Sequence, residues 1–248
     1  MPFRFELVRN WEPFGRYRRA QRFLEFFIPG FRPSSSIFLD EIARLVAGDI
    51  RWLDVGCGSN WLIDHYREGP HGVVVGIDLL VPGNLTNRNR FIRADGMQLP
   101  FADRSFDLVT TTSVVEHLKY PHSFLLEMKR ILKPTGVLVI RTPNLLSPLV
   151  SVSRLFPEKL KRFLIRNIYH QNLELFPTYY RFNTPPRLVA LAEQYDFRVK
   201  KLILTEEPLF GPVPLFVISL GAVLALSPPL FKNFRSRMLA IIERSDPH

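Results

Sequence analysis

From Ile50 to Leu204, short apolar runs alternate with stretches whose apolar residues recur at helical spacing. This is the pattern of βαβ units built around a mainly parallel sheet. Ile50–Val55, Val73–Ile77, Arg90–Arg93 and Phe106–Thr111 read as the first four strands. Val137–Arg141 reads as a fifth, apolar enough to be buried on both faces. Helices are predicted over Ile37–Val46 with Ser36 as cap, around Val115–Leu118, and over Ser123–Leu132. The run Lys133-Pro134-Thr135-Gly136 carries turn chemistry between the last of these and the fifth strand. A further helix is predicted from Thr184-Pro185-Pro186, since proline suits a first turn. Phe197–Leu204 and Arg237–Glu243 read as the sixth and seventh strands.

The pattern divides the chain into an N-terminal cap over 1–36, an α/β domain over 37–207, an apolar insertion over 208–232, and a last strand and tail over 233–248. Inside the α/β domain, the basic and aromatic stretch 144–183 is expected to form an inserted helical cap.

The densest chemical signal is Leu53-Asp54-Val55-Gly56-Cys57-Gly58-Ser59-Asn60, a buried strand running into two glycines and then a helix. Without a β-carbon, such a turn lets backbone N–H groups approach a ligand closely. The second strand ends about twenty residues later at Gly76-Ile77-Asp78, where a carboxylate would accept from ribose hydroxyls. The third ends at Ala94-Asp95-Gly96-Met97, where a carboxylate could accept from an adenine amino group and Met97 could pack on the ring. Each acid alone could be a helix cap or a loop aspartate. Acidic strand ends in register behind one glycine turn are harder to explain that way.

On these residues, together with Phe106-Asp107-Leu108-Val109, Val115-Glu116-His117-Leu118 and Leu132-Lys133-Pro134-x-Gly136, the span 50–141 resembles the class I S-adenosylmethionine-dependent methyltransferases. The resemblance is to the methyltransferase type 11 branch, which includes the ubiquinone-type O-methyltransferases. It implies an α/β fold with a Rossmann-like seven-stranded sheet, helices on both faces and an antiparallel last strand. It also implies S-adenosyl-L-methionine as cofactor, bound by Asp54, Gly56, Cys57, Gly58, Asp78, Leu79, Asp95, Gly96, Met97 and Thr112. Gly56 and Gly58 would face the methionine part, Asp78 the ribose, Asp95 with Gly96 and Met97 the adenine, and Thr112 would lie beneath the sulfonium. The chain departs from the family at Asn60, where a third glycine is frequent.

Several other chemistries fit less well. A nicotinamide-dependent dehydrogenase would usually show G-x-G-x-x-G, and here the last position is Trp61. Amino methylation of a base generally goes with an Asn/Asp-Pro-Pro-aromatic tetrad, where this chain has Thr110-Thr111-Thr112-Ser113. Carbon-5 methylation of a pyrimidine needs a free cysteine nucleophile, and the one cysteine, Cys57, lies inside the glycine loop. One cysteine also excludes an internal disulfide, and no metal site is expected.

Methyl transfer to a hydroxyl gains from a general base, and His117 is the candidate, since neutral imidazole can take a proton near pH 7. The alternative is that Glu116-His117 is a structural pair. His122, Arg141, His170, Tyr179 and Tyr180 are further polar groups available near an acceptor.

The net charge of +10 favours an anionic partner. The stretch Pro208–Phe231 has no charged residue, but Pro212, Pro214, Pro228 and Pro229 leave only Leu215–Ser227 uninterrupted. At ~1.5 Å per residue that helix reaches about 20 Å, short of a ~30 Å hydrocarbon core. These features imply peripheral or monotopic attachment to a membrane through 208–231 and the basic N-terminus, with a small or lipid-linked acceptor, and the single cysteine implies the reducing cytoplasm. The alternative for 208–231 is burial against protein. A nucleic-acid substrate is the weaker expectation, because no stacking face for single strands is recognisable. An RNA methyltransferase and a non-catalytic cofactor-binding regulator are the competing functions.

Overall fold

The computed structural model describes residues 30–46, 48–66, 72–86, 88–157, 176–207 and 228–245, with Phe26, Ile28, Lys159, Gly221, Val223 and Ala225 as isolated positions. The expectations for the N-terminal stretch before Phe26, for His170 and for most of 208–227 fall outside these residues.

Seven strands form one sheet: β1 (Trp52–Val55), β2 (Val74–Asp78), β3 (Phe91–Arg93), β4 (Phe106–Thr112), β5 (Leu132–Pro143), β6 (Phe197–Thr205) and β7 (Arg237–Arg244). Their order is β3-β2-β1-β4-β5-β7-β6, and β7 runs antiparallel. All four residues of β1 are buried, as a parallel strand covered on both faces must be. At the edge, β3 leaves Ile92 and Arg93 exposed. The register aligns the carboxyl ends: Val55 lies opposite Ile77 on one side and Thr111 on the other, and Thr112 lies opposite Arg141.

Five α-helices are described: α1 (Ser34–Leu45), α2 (Trp61–His65), α3 (Pro121–Ile131), α4 (Pro148–Leu155) and α5 (Pro185–Gln194). In α3 the buried residues Pro121, Phe124, Leu125, Met128 and Ile131 recur at three- and four-residue spacing, so one face meets the core. Proline in the first turn of α3 and of α5 costs no helical hydrogen bond. The far end of α3 is closed by Arg244, whose Nη1 donates to the carbonyl oxygens of Lys129 (2.9 Å) and Leu132 (2.8 Å).

Three predicted elements differ. The helix expected around Val115–Leu118 is a single 3-10 turn, Val115–His117. Proline disfavours a helical residue before it, and Tyr120, ahead of Pro121, is extended enough to break any continuous helix. The turn expected at Lys133–Gly136 lies within β5, but pairing with β4 jumps from Phe106–Leu132 to Leu108–Val137, so these four residues make an excursion in the strand. Helix α1 begins at Ser34, two residues ahead of the predicted cap. There the Glu207 carboxylate accepts from the Ser35 N–H (3.0 Å) and hydroxyl (3.3 Å), a partner 172 residues away in the chain.

The chain divides into two compact units. One contains Phe38–Asn144, Pro177–Ile203 and Met238–His248; the other contains Met1–Ile37, Leu145–Phe176 and Leu204–Arg237. In the second unit, Val223 from the apolar insertion is buried with Phe31, and Ile28 packs against them. Within the stretch 144–183, the described helix is α4.

Candidate functional site

The glycine turn is held from below. Both Gly56 and Cys57 donate their N–H to the Ile77 carbonyl oxygen, at 2.8 and 2.9 Å. Gly56 has φ +73, and a β-carbon there would overlap the side chain of Val114. This contact brings the Val115–His117 turn against the loop. Gly58 also has positive φ (+52), yet a β-carbon on it would meet nothing within 4 Å. Its open side is therefore a cradle that any side chain would begin to fill.

Asn60 occupies the position where a third glycine was expected. Its φ of 66 is left-handed, a region that asparagine tolerates better than most residues, so the loop keeps its backbone path. The side chain is fully buried and its Nδ2 donates to the Thr86 carbonyl oxygen (3.1 Å). Thr86 returns the grip: its N–H reaches the Ser59 carbonyl oxygen (3.2 Å), its hydroxyl lies 2.7 Å from that same oxygen, and the hydroxyl also touches Asp64. Room for this arrangement comes from Gly76 on β2, where a β-carbon would overlap Asn60 Oδ1 and lie 2.8 Å from Cys57 Sγ.

The acids lie as the strand register requires. Asp78 Oδ2 accepts from the Gly58 N–H (3.0 Å), and its Oδ1 accepts from the Leu80 N–H (3.2 Å). Leu79 between them is half exposed. The Asp78 carbonyl oxygen accepts from Ala94 (3.1 Å), which brings the end of β3 beside the end of β2. Asp95 Oδ1 accepts from the Met97 N–H (2.9 Å), so this acid shapes its own turn. A β-carbon on Gly96 would come within 3.0 Å of Val55 Cγ1 at the end of β1. Asp78, Asp95, Gly96 and the glycine turn thus share one end of the sheet.

Asp54 differs from the other acids. It is 3% exposed, and its Oδ1 accepts from the Thr110 hydroxyl (2.6 Å), which itself accepts from Trp52 Nε1 (2.9 Å). Burial raises its pKa most; the Thr110 hydrogen bond opposes this and the charge of Asp78 adds to it, leaving it pushed up to about 7. Asp54 is therefore a strut beneath the loop. Burial also pushes the Cys57 thiol up, with Asp54 and Asp78 adding to the effect, which keeps it a protonated, inert group.

At the end of β4, Thr112 has a buried Oγ1 with no hydrogen-bond partner among the described residues. Ser113 follows with φ 57 and donates its N–H to the Arg141 carbonyl oxygen (2.9 Å). Left-handed backbone at Asn60, Ser113 and Tyr180 stores strain around the site region, as functional sites often do.

The two members of Glu116-His117 have separate jobs. Glu116 is buried; its Oε2 accepts from the Thr142 hydroxyl (3.0 Å), and Thr142 accepts from Asn183 Nδ2 (2.6 Å). The Glu116 carbonyl oxygen accepts from Tyr179 (2.8 Å) and Tyr180 (3.1 Å). His117 Nδ1 lies 3.0 Å from the Pro177 carbonyl oxygen. A carbonyl can only accept, so Nδ1 is the donor in this contact. Of the other named groups, Arg141 is buried, Tyr179 is exposed, and His122 is exposed and paired with the Tyr195 hydroxyl at 2.7 Å. Sequence reasoning missed Thr86, Thr142 and Asn183, whose contacts span 26 to 41 residues and leave no local signature.

Asp78, the open side of Gly58 and the unpartnered Thr112 hydroxyl fit a nucleotide carrying a polar, positively charged tail. Backbone at the turn could meet its amino-acid end, Asp78 its ribose, and the Asp95–Met97 turn its base. Among the described residues no cluster of His, Cys, Asp and Glu could hold a metal ion.

Residues 53–140 match the methyltransferase-domain family. An uncharacterized methyltransferase of Mycolicibacterium gilvum is 28% identical over 155 residues, 58% of this chain and 61% of that protein. A ubiquinone biosynthesis O-methyltransferase of Rhodopseudomonas palustris is 27% identical over 82% of this chain and 79% of its own length. The chain thus spans less than two thirds of the first of these relatives. An S-adenosylmethionine-dependent methyltransferase of Mesorhizobium loti shares the fold at 16% identity, with a TM-score of 0.54 over 83% of this chain and 95% of its own. Family match and strand order agree with the site geometry, and over residues 53–140 the chain is similar to the class I, S-adenosylmethionine-dependent methyltransferases.

Proposed function

We propose that the protein transfers a methyl group from S-adenosylmethionine to a hydroxyl of a small or lipid-linked acceptor. The observation that carries this reading is the alignment of the glycine turn, Asp78 and the Asp95–Met97 turn along one end of the sheet. The ubiquinone biosynthesis relatives favour oxygen as the accepting atom.

When bound, the cofactor supplies an electrophilic methyl group on a sulfonium, and displacement there depends mainly on positioning. The chain's part is to hold and to deprotonate. Gly56 and Gly58 give backbone access, and the lone pairs of Asp78 left over from Gly58 and Leu80 receive hydroxyls. Thr112 offers an oxygen at the end of β4. His117, oriented by the Pro177 carbonyl at Nδ1, is the group assigned to take the acceptor's proton as its oxygen becomes the nucleophile.

The test is incubation of the protein with cofactor labelled in the methyl group and with separate lipid, small-molecule and RNA extracts. Label in a lipid or small phenolic fraction, released as a methyl ether, supports the reading; label in RNA alone refutes it. His117→Ala should lower kcat by roughly a hundredfold or more while S-adenosylhomocysteine affinity is kept. An unchanged kcat would remove His117 from the chemistry.

A further inference from the structure

Charge is not spread evenly over the chain. The unit made of Met1–Ile37, Leu145–Phe176 and Leu204–Arg237 holds 15 Lys and Arg against 7 Asp and Glu, which is +8 of the net +10. The unit containing the glycine turn has 18 basic and 16 acidic residues and is nearly neutral. The sheet and its cofactor end therefore do not account for the basic character.

The basic unit also exposes large apolar side chains on two short elements. The 3-10 turn Pro229–Phe234 leaves Leu230 82%, Phe231 40% and Phe234 42% exposed. At three residues per turn, Phe231 and Phe234 share a face, with Leu230 beside them and the exposed Lys232 between. On and just past α4, Val152, Leu155 and Phe156 fall at three- and four-residue spacing and are 51%, 81% and 45% exposed. Side chains of this size are ordinarily turned inward or mark an interaction site when they cluster. No helix among the described residues is long and apolar enough to cross a membrane.

We propose that Leu230, Phe231 and Phe234, with Leu155 and Phe156, dock the protein on an anionic phospholipid surface. The apolar side chains enter the boundary between headgroups and acyl chains and Lys232 meets the lipid phosphates, while the net positive charge of the unit draws the protein toward an anionic surface. Charge complementarity selects an anionic partner. The most exposed residues on these elements, Leu230 and Leu155, are aliphatic, which favours lipid over nucleic acid: an aliphatic chain gains nothing from phosphate and stacks poorly on bases, but gains on entering hydrocarbon. This inference deepens the reading of a lipid-linked acceptor and rests on it for its purpose. Its readout is binding alone, so methyl transfer and docking can fail separately.

The experiment is flotation of the full chain with vesicles of phosphatidylcholine alone and of phosphatidylcholine and phosphatidylglycerol in equal parts. Flotation with the anionic vesicles and little with the neutral ones is expected. Leu230→Glu combined with Leu155→Glu should weaken partitioning at least about tenfold. Both residues are more than four fifths exposed, so the thermal midpoint should not move. Lys232→Gln should weaken binding about fivefold. Absence of flotation with anionic vesicles overturns the proposal. So does flotation that the paired Leu→Glu variant leaves unchanged, and so does tight RNA binding without flotation, which would assign the charge to nucleic acid.

Discussion

Replacing Asp54 by Asn should make the protein more stable at alkaline pH and leave it nearly unchanged in acid. The carboxyl is fully buried in the folded chain, where its pKa rises from 3.8 to about 7. A raised carboxyl pKa means that the folded state binds the proton more tightly than the unfolded state does. Its stabilising contribution is complete below pH 3.8 and is lost as pH rises through about 7. Between pH 5 and the folded pKa lie about two pH units at ~1.4 kcal/mol each, so the wild type should lose about 3 kcal/mol through this group by pH 8. Asn cannot ionise, and its Oδ1 can still accept from Thr110, whose own acceptor role toward Trp52 is unaffected. Glu206, pushed up to about 7 chiefly by burial, adds a loss in the same direction, but equally in both proteins. Urea unfolding of both at pH 5 and pH 8 isolates the Asp54 share by subtraction. Parallel pH profiles would refute the reasoning, since Asp54 would then ionise in place without cost.

Gly76→Ala should cost about 1–3 kcal/mol and weaken S-adenosylhomocysteine binding roughly tenfold, because its methyl group would enter the space of Asn60 and Cys57. In an Asn60→Gly background that cost should shrink, and calorimetry on the double-mutant set would show strict additivity if the two residues do not share the space. Glu207→Ala should lower stability by about 1 kcal/mol by removing the acceptor for Ser35 at the start of α1. A thermal midpoint equal to that of wild type would count against the capping role.

Much of the sheet could be read from the chain because its signals are local. A run such as Trp52–Val55, buried on both faces, must be continuously apolar apart from a satisfied polar group, and the glycines that follow are demanded by backbone angles. The positions of Asp78 and Asp95 followed from strand ends, which the register then aligned. What could not be read depends on distant partners. Nothing near Ser34 announces that Glu207 will extend α1 upstream. Nothing near Glu116 distinguishes a buried strut held by Thr142 and Asn183 from a catalytic acid. The excursion at Lys133–Gly136 keeps its turn residues yet stays inside a strand, because Leu132 still pairs with Phe106 before the register jumps.

Asn60 shows why one missing family residue does not by itself imply a lost site. Glycine at that position would supply two things, a left-handed φ and the absence of a side chain. Asn60 keeps the first, at φ 66. The second is met from the neighbouring strand, because Gly76 leaves the volume that the asparagine side chain and Cys57 occupy. The amide then does what glycine could not, tying the loop to the Thr86 segment, while Thr86 returns to Ser59. The loop is thus fixed by Gly58 on Asp78, by Asn60 on Thr86, and by Gly56 and Cys57 on the Ile77 carbonyl. A turn held on three sides before any ligand arrives loses little entropy on binding, which is the condition for using backbone N–H groups as a positioning surface.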